Sequence, residues 1–249
     1  MSRYFIYLAY NGESYCGWQV QPNGMSVQET IEKALATLLR VPTPIVGAGR
    51  TDAGVHARMM AAHFDHEDKD LDLGLLTNKL NSLLPKDIVI YNVAKVREDA
   101  HARFDATSRL YRYYVTTAKD PFLYKFKHKV YGTLDIEAMN ACAKILFEYE
   151  DFTSFSKLHT DVKTNNCIIM QAYWEKKGDD YIFTIQANRF LRNMVRSIVG
   201  TLLEAGRRKI GVEDMRRIIE AKDRGQAGTS VPAQALFLEE IEYDSDIFK

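Results

Sequence analysis

The sequence has no apolar run approaching the roughly 18–20 residues that a bilayer-spanning helix requires, which excludes a helical membrane protein. Cysteine is scarce: Cys16, Cys142 and Cys167 are odd in number, far apart and never paired as C-x-x-C. That excludes a disulfide scaffold and a sequence-local zinc site, and it predicts a reducing compartment. His63 and His66 do not form H-E-x-x-H, and no H-x-E followed by P-C-x-x-C occurs, so no metal is expected. The opening Met1-Ser2-Arg3-Tyr4 lacks an apolar signal core and a small-residue cleavage site, and a cytoplasmic location is expected. Low-complexity linkers are missing. So is net charge: 33 basic residues balance 33 acidic ones, which at first counts against a polyanionic partner.

What is present is an ordinary globular composition. The 249 residues are 46% hydrophobic and 27% charged, enough for one large domain or two small packed ones. The charge is unevenly placed. Residues 101–129 carry an excess of five positive charges, among them Arg103, Arg109, Arg112 and Lys119, and residues 187–224 carry the same excess. The compensating acids crowd into Asp65 to Asp72 and Glu239 to Lys249. A polarised pattern of this kind binds a polyanion on one surface without making the whole chain basic.

Periodicity gives the elements. Arg3 to Tyr10 reads as a strand ended by Asn11-Gly12, and Ser26-Val27-Gln28-Glu29 has capping-box spacing before a helix to about Leu39. Strands are predicted over Val55–Phe64, Ile88–Val93, Leu110–Thr116, Ile168–Trp174, Tyr181–Gln186 and Leu236–Tyr243. Helices are predicted over Leu71–Leu84, Asp135–Phe147, Phe190–Ala205 and Val212–Ala221. Frequent antiparallel turns and no regular βαβ series favour an α+β fold with helices on one sheet face. A boundary near residue 100 divides the chain into halves, 1–100 and 101–249.

The loop Gly47 to Gly54 is the most unusual stretch, with three glycines in eight residues. A dinucleotide fingerprint needs glycine where Asp52 stands, and a phosphate-cradling P-loop needs a G-K-[ST] that does not follow. The remaining functional reading makes Asp52 itself the reagent, a carboxylate on a tight turn flanked by Arg50. A purely structural turn is the competing reading. On the predicted helix from Phe190, Arg189, Arg192 and Arg196 lie along one polar edge, where a guanidinium fork is suited to pairing with a carboxylate. Tyr111, Tyr113 and Tyr114 alternate with Arg109 and Arg112, a mixture that suits stacked bases and phosphates. Strand alternation puts Tyr111 and Tyr113 on one face and Arg112 on the other.

Several collinear segments resemble the tRNA pseudouridine synthase A family. They are Gly17-Trp18-Gln19, the Gly49–Ala57 run GRTDAGVHA, LNSLLPKDI from Leu80, and His101-Ala102-Arg103-Phe104-Asp105-Ala106. After them come Tyr111-Arg112-Tyr113, Asp151-Phe152-Thr153-Ser154-Phe155, FLRNMVRSIVG from Phe190, and Ala227-Gly228-Thr229. Two departures stand out: Asn11 where the family usually has Asp, and Gln234-Ala235 in place of a small residue and glycine before Leu236. The resemblance implies two related α+β, ferredoxin-like halves on a continuous antiparallel sheet with an active-site cleft between them. It implies a homodimer that isomerises uridine to pseudouridine at positions 38, 39 and 40 of the tRNA anticodon stem-loop, without metal or cofactor. Residue by residue, Asp52 is the catalytic carboxylate, Arg196 its partner, Tyr111 the ring stacked on uracil and Leu236 an apolar wall. Arg50 helps displace the target base; from the charge pattern, Arg103, Arg109, Arg189 and Arg192 are expected to hold RNA together with Arg50. The alternatives are a non-catalytic tRNA-binding or folding module and a nucleotide-dependent enzyme using the Gly47–Gly54 loop.

Overall fold

A computed structural model describes residues 1–22, 24–67, 71–157 and 164–248. Among them are nine strands and five α-helices. The pairings whose register is described are antiparallel, except for one short parallel pair, so the α+β class expected from the sequence holds. The chain forms two compact units: Met1–Ser108 with Leu238–Lys249, and Arg109–Phe237. Asp68, Lys69 and Asp70 of the first acidic run, and Lys249 of the second, lie outside the described residues.

The first unit is built on β1 (Ser2–Tyr10), which is flanked by β3 (His56–His66) and β4 (Ile88–Val96). The strand order is β4-β1-β3-β9, where β9 spans Leu236–Tyr243 and enters this unit at Leu238. Phe5 lies opposite His63 on one side and Ala94 on the other. Tyr4, Ile6, Leu8 and Tyr10 are buried at every second position, the period of one sheet face, and Phe5 is buried on the other. The two-residue strand β2 (Val46–Gly47) adds to β3. Helix α1 (Val27–Leu39) starts where the capping pattern puts it: the Glu29 N–H donates to Ser26 Oγ at 3.1 Å, and Val27, Ile31, Ala34 and Leu35 are buried at helical spacing. Helix α2 (Leu73–Leu83) is capped by Asp72 and packs on β4, where the Asn81 side chain exchanges two hydrogen bonds with the Ile90 backbone.

The second unit has the strand order β5-β8-β7, from β5 (Ala106–Thr116, inside this unit from Arg109), β8 (Asp180–Ala187) and β7 (Ile169–Lys177). Tyr113 faces Phe183 across β5 and β8, and both are fully buried. The short β6 (His128–Lys129) is the parallel partner, pairing with Val115 and Thr116. Helices α3 (Ile136–Ile145), α4 (Met194–Gly206) and α5 (Val212–Glu220) complete it, with α3 packed on α4, α5 and β7.

One expectation needs correcting. The helix predicted from Phe190 begins at Met194 instead, because Asn193 takes a left-handed conformation (φ 67°) as its N-cap. A tight turn precedes it, with the Met194 N–H donating to Leu191 O at 3.1 Å. Arg189 and Arg192 therefore lie in the segment leading to α4, not along a helical edge shared with Arg196. Leu71–Leu84 and Asp135–Phe147 are each trimmed by one or two residues at either end.

Candidate active site

Asp52 sits half-buried in the connection between β2 and β3, on a turn closed by the Val55 N–H donating to Asp52 O at 3.1 Å. Gly54 follows with φ +80°, the left-handed step that such a turn favours. The loop is gripped from two sides. The Thr51 hydroxyl is 2.8 Å from the Tyr10 hydroxyl at the end of β1, and Thr51 O accepts the Trp18 N–H at 3.2 Å. Trp18 and Tyr10 are both buried, with ring centroids 6.1 Å apart. Gly17 runs so close beneath the loop that a Cβ there would lie 2.4 Å from Thr51 O, and its φ of +102° suits glycine alone. Past the turn, His56 is 1% exposed, and its Nδ1 accepts the Gly12 N–H at 2.9 Å, which makes it a neutral acceptor on that nitrogen.

This packing bears on what the glycines do. A Cβ on Gly47 would sit 2.3 Å from the Trp18 indole nitrogen, so the space beside that glycine holds a protein ring and has no room for a phosphate. Among the described residues no group of three or more His, Cys, Asp or Glu side chains is arranged to hold a metal ion. Nor is any helix long and apolar enough to cross a membrane. Arg50, at the start of the loop, is exposed.

In the second unit, Arg196 lies on the first turn of α4 and is half-buried. Its Nε donates to Val231 O at 2.8 Å, and the Val231 N–H donates back to Arg196 O at 3.2 Å, which fixes the plane of the guanidinium fork. Asn193, Ser197 and Ser230 form a side-chain cluster beside it, with Asn193 Nδ2 donating to Ser230 Oγ at 2.6 Å and to Ser197 Oγ at 3.0 Å. Arg224 adds a bond to Ser230 Oγ at 2.8 Å. The 227–231 segment runs against α4 closely enough that a Cβ on Gly200 would lie 1.9 Å from Thr229 O. The Tyr113 hydroxyl donates to Pro232 O at 2.9 Å, and burial drives that phenol far above its ordinary pKa despite the opposing charge of Arg196. Tyr113 is therefore a fixed donor.

Tyr111 is half-buried two residues earlier on β5, its ring packed edge-on against Phe190 at 5.2 Å. Leu236 is buried at the first position of β9, after a 3-10 turn over Ala233–Ala235. Arg109 Nη1 donates to Asn188 O at 2.7 Å. Arg189 is half-buried and Arg192 exposed, and Arg192 O accepts the Lys157 N–H at 3.0 Å. Arg103 is exposed in the first unit, with its guanidinium 5.7 Å from the centre of the Phe104 ring. The first unit thus brings Arg50 and Asp52 together with Tyr10, Trp18 and His56. The second gathers Arg196 with Tyr113 and Val231, and Tyr111 with Phe190. The contacts of Tyr10, Trp18 and Asn193 were missed by sequence reasoning; the Gly17-Trp18 pair in the resemblance was the available signal.

Comparison with known proteins agrees with this arrangement of motifs. A family model described as tRNA pseudouridine synthase matches residues 6–105 and 145–244. The chain is 63% identical to a tRNA pseudouridine synthase A of Parabacteroides distasonis over 248 residues, covering 100% of this chain and 98% of that protein. A protein of the same name from Bacteroides thetaiotaomicron is 63% identical over 100% of this chain and 93% of its own length. One from Geobacter sp. (strain M21) is 40% identical over 96% and 97%.

Proposed function

Because the chain belongs to the tRNA pseudouridine synthase family, we propose that it isomerises uridine to pseudouridine in tRNA, at positions 38, 39 and 40 of the anticodon stem-loop. The observation that carries this reading is the Gly49–Ala57 run, which presents Asp52 half-buried on a turn held by Tyr10, Trp18 and Gly17. A uridine inside a stem cannot offer its glycosidic bond to a carboxylate, so it leaves the stack at a cost of a few kcal/mol. Exposed Arg50, two residues from Asp52, fills the vacated space. Asp52 then acts on the ribose, as nucleophile at C1′ or as base on a sugar proton, while the C1′–N1 bond breaks. Arg196 is the guanidinium partner that the family resemblance assigns to that carboxylate, its planar fork suited to holding two oxygens. Tyr111 and Leu236 enclose the detached uracil without anchoring one orientation, so that it turns and C5 bonds to C1′ as Asp52 is released from C1′ or returns the sugar proton. C5 then loses its proton to a base, for which Tyr111 is the candidate, and N1 takes one up. Arg103, Arg109, Arg189 and Arg192 hold the RNA backbone.

In this reading the enzyme is a cytoplasmic homodimer and needs neither metal nor cofactor, since the reaction moves a base within one molecule. Substitution of Asp52→Asn tests it. Pseudouridine formation, read by mass spectrometry of treated tRNA, falls by at least about 10³-fold while tRNA affinity stays near wild type. Turnover persisting in that variant overturns the assignment and favours a module that binds tRNA without reacting.

A further inference from the structure

Residues 119–131 are basic and aromatic, and the roles assigned above leave them unused. Phe122, Tyr124 and Tyr131 are 85%, 62% and 81% exposed, within ten residues of one another. Scattered surface hydrophobes need no explanation, but three large rings in one segment do. The segment is not loosely held. Asp120 Oδ1 accepts the N–H groups of Phe122 at 2.8 Å and Leu123 at 3.1 Å, and the Phe126 N–H donates to Leu123 O at 2.9 Å. Lys127 turns inward, with its Nζ 2.6 Å from Asp180 Oδ2, and β6 fixes Lys129 against Thr116. What faces outward is therefore presented by a fixed scaffold.

Of these rings, Tyr124 lines an open cavity of about 380 Å³, bounded also by Thr116, Lys119, Asp120, Lys129 and Gln234. That volume lies at the small end of the ~300–1,000 Å³ range of ligand clefts, of a size for one nucleotide and not for a duplex. Its charge is selective. Lys127 is spent on Asp180 and Asp120, and the carboxyl of Asp120 is held below its usual range chiefly by the Phe122 N–H. Lys119 makes no ion pair among the described residues. Lys129 makes none either, and its ammonium lies 5.1 Å from the centre of the Tyr131 ring. Gln234 stands two residues before Leu236, at a position where the family resemblance calls for a small residue.

We propose that this cavity is an accessory subsite for one unpaired nucleotide of the RNA substrate, outside the uridine that reacts. The base stacks on Tyr124, and Lys119 and Lys129 meet its phosphates. The inference rests on the tRNA reading above. An exposed ring between two lysines that make no ion pair among the described residues fits single-stranded nucleic acid, whereas protein interfaces are depleted in lysine.

The test measures tRNA affinity by fluorescence anisotropy at fixed salt, alongside turnover at saturating tRNA and sedimentation. Tyr124→Ala is expected to weaken binding by about 5- to 100-fold, Tyr124→Phe to keep wild-type affinity, and the double variant K119A/K129A to weaken binding and flatten its salt dependence. Turnover at saturation stays unchanged in all three. Wild-type affinity in both Tyr124→Ala and K119A/K129A overturns the subsite. A loss of affinity that tracks a change in oligomeric state also overturns it and assigns the rings to a second copy of the chain. The two readings fail separately: pseudouridine formation by the wild type with unaffected binding in the variants removes only the subsite, and absence of pseudouridine removes the function itself.

Discussion

Thr51 is the residue through which the first unit grips the proposed catalytic loop, with its hydroxyl on Tyr10 and its carbonyl on Trp18. Replacing Thr51 with Val removes its hydroxyl bond to Tyr10, which costs about 0.5–1.5 kcal/mol of stability. The expected kinetic signature is a lower kcat with an unchanged KM for tRNA, because the loop positions a reacting group and leaves the RNA surface alone. Thr51→Ser restores both quantities, and Tyr10→Phe behaves as a milder Thr51→Val; equal kcat in all four proteins counts against positioning. The motif made Asp52 and Arg50 legible as chemistry from the sequence. It did not reveal the partner of Thr51, because Tyr10 lies 41 residues earlier and the pairing exists only once β1 and β3 have come into register.

At the level of elements, periodicity located nearly every strand and helix, since most have an apolar face against the core. It overran at Phe190–Asn193, where the apolar spacing of Phe190, Leu191 and Met194 imitates a helix. There Phe190 packs on Tyr111, and Asn193 spends its side chain on Ser197 and Ser230, so local side-chain bonding outcompetes the helical ladder. It also passed over β2 and β6, two residues each, which are strands only because a neighbour is there to pair with. The close approach of α4 to the 227–231 segment predicts that Gly200→Ala destabilises the protein by about 1–3 kcal/mol in urea unfolding, since the added methyl meets backbone that cannot swing away.

On β3, burial and the Arg3 charge hold the His63 imidazole down to about 4, and its Nδ1 accepts the Ala102 N–H at 3.1 Å. Facing it are Arg3, His101, Asp65 and Asp105. A histidine whose folded pKa lies below its unfolded value takes up its proton more readily when unfolded. Its stabilising contribution is therefore complete above about pH 6.5 and drains away as the pH falls toward 4, by on the order of 3 kcal/mol. Unfolding midpoints measured across that window check this, and the slope shrinks in His63→Gln.

Across the whole molecule, zero net charge conceals a division of labour among the cations. Arg207, Arg208, Lys209, Arg216, Arg217 and Lys222 in the second basic segment are each ion-paired with a nearby carboxylate, so much of that segment's excess is neutralised locally. The affinity for tRNA is expected to fall linearly in log–log terms as salt rises. Arg217→Ala leaves that slope unchanged, whereas Arg103→Ala lowers its magnitude by about 1, as loss of one phosphate contact requires. Titrations at four salt concentrations distinguish the two.

The first unit is also closed by a strand drawn from far along the chain: β9 reaches it at Leu238 and covers the edge of β3. On the ribosome, the half that carries Asp52 is therefore translated first and completed last. It waits with an open edge of unpaired peptide groups while some 130 intervening residues emerge and fold. A nascent chain halted before residue 238 holds every side chain assigned here to chemistry, yet its carboxylate loop rests on an unfinished sheet.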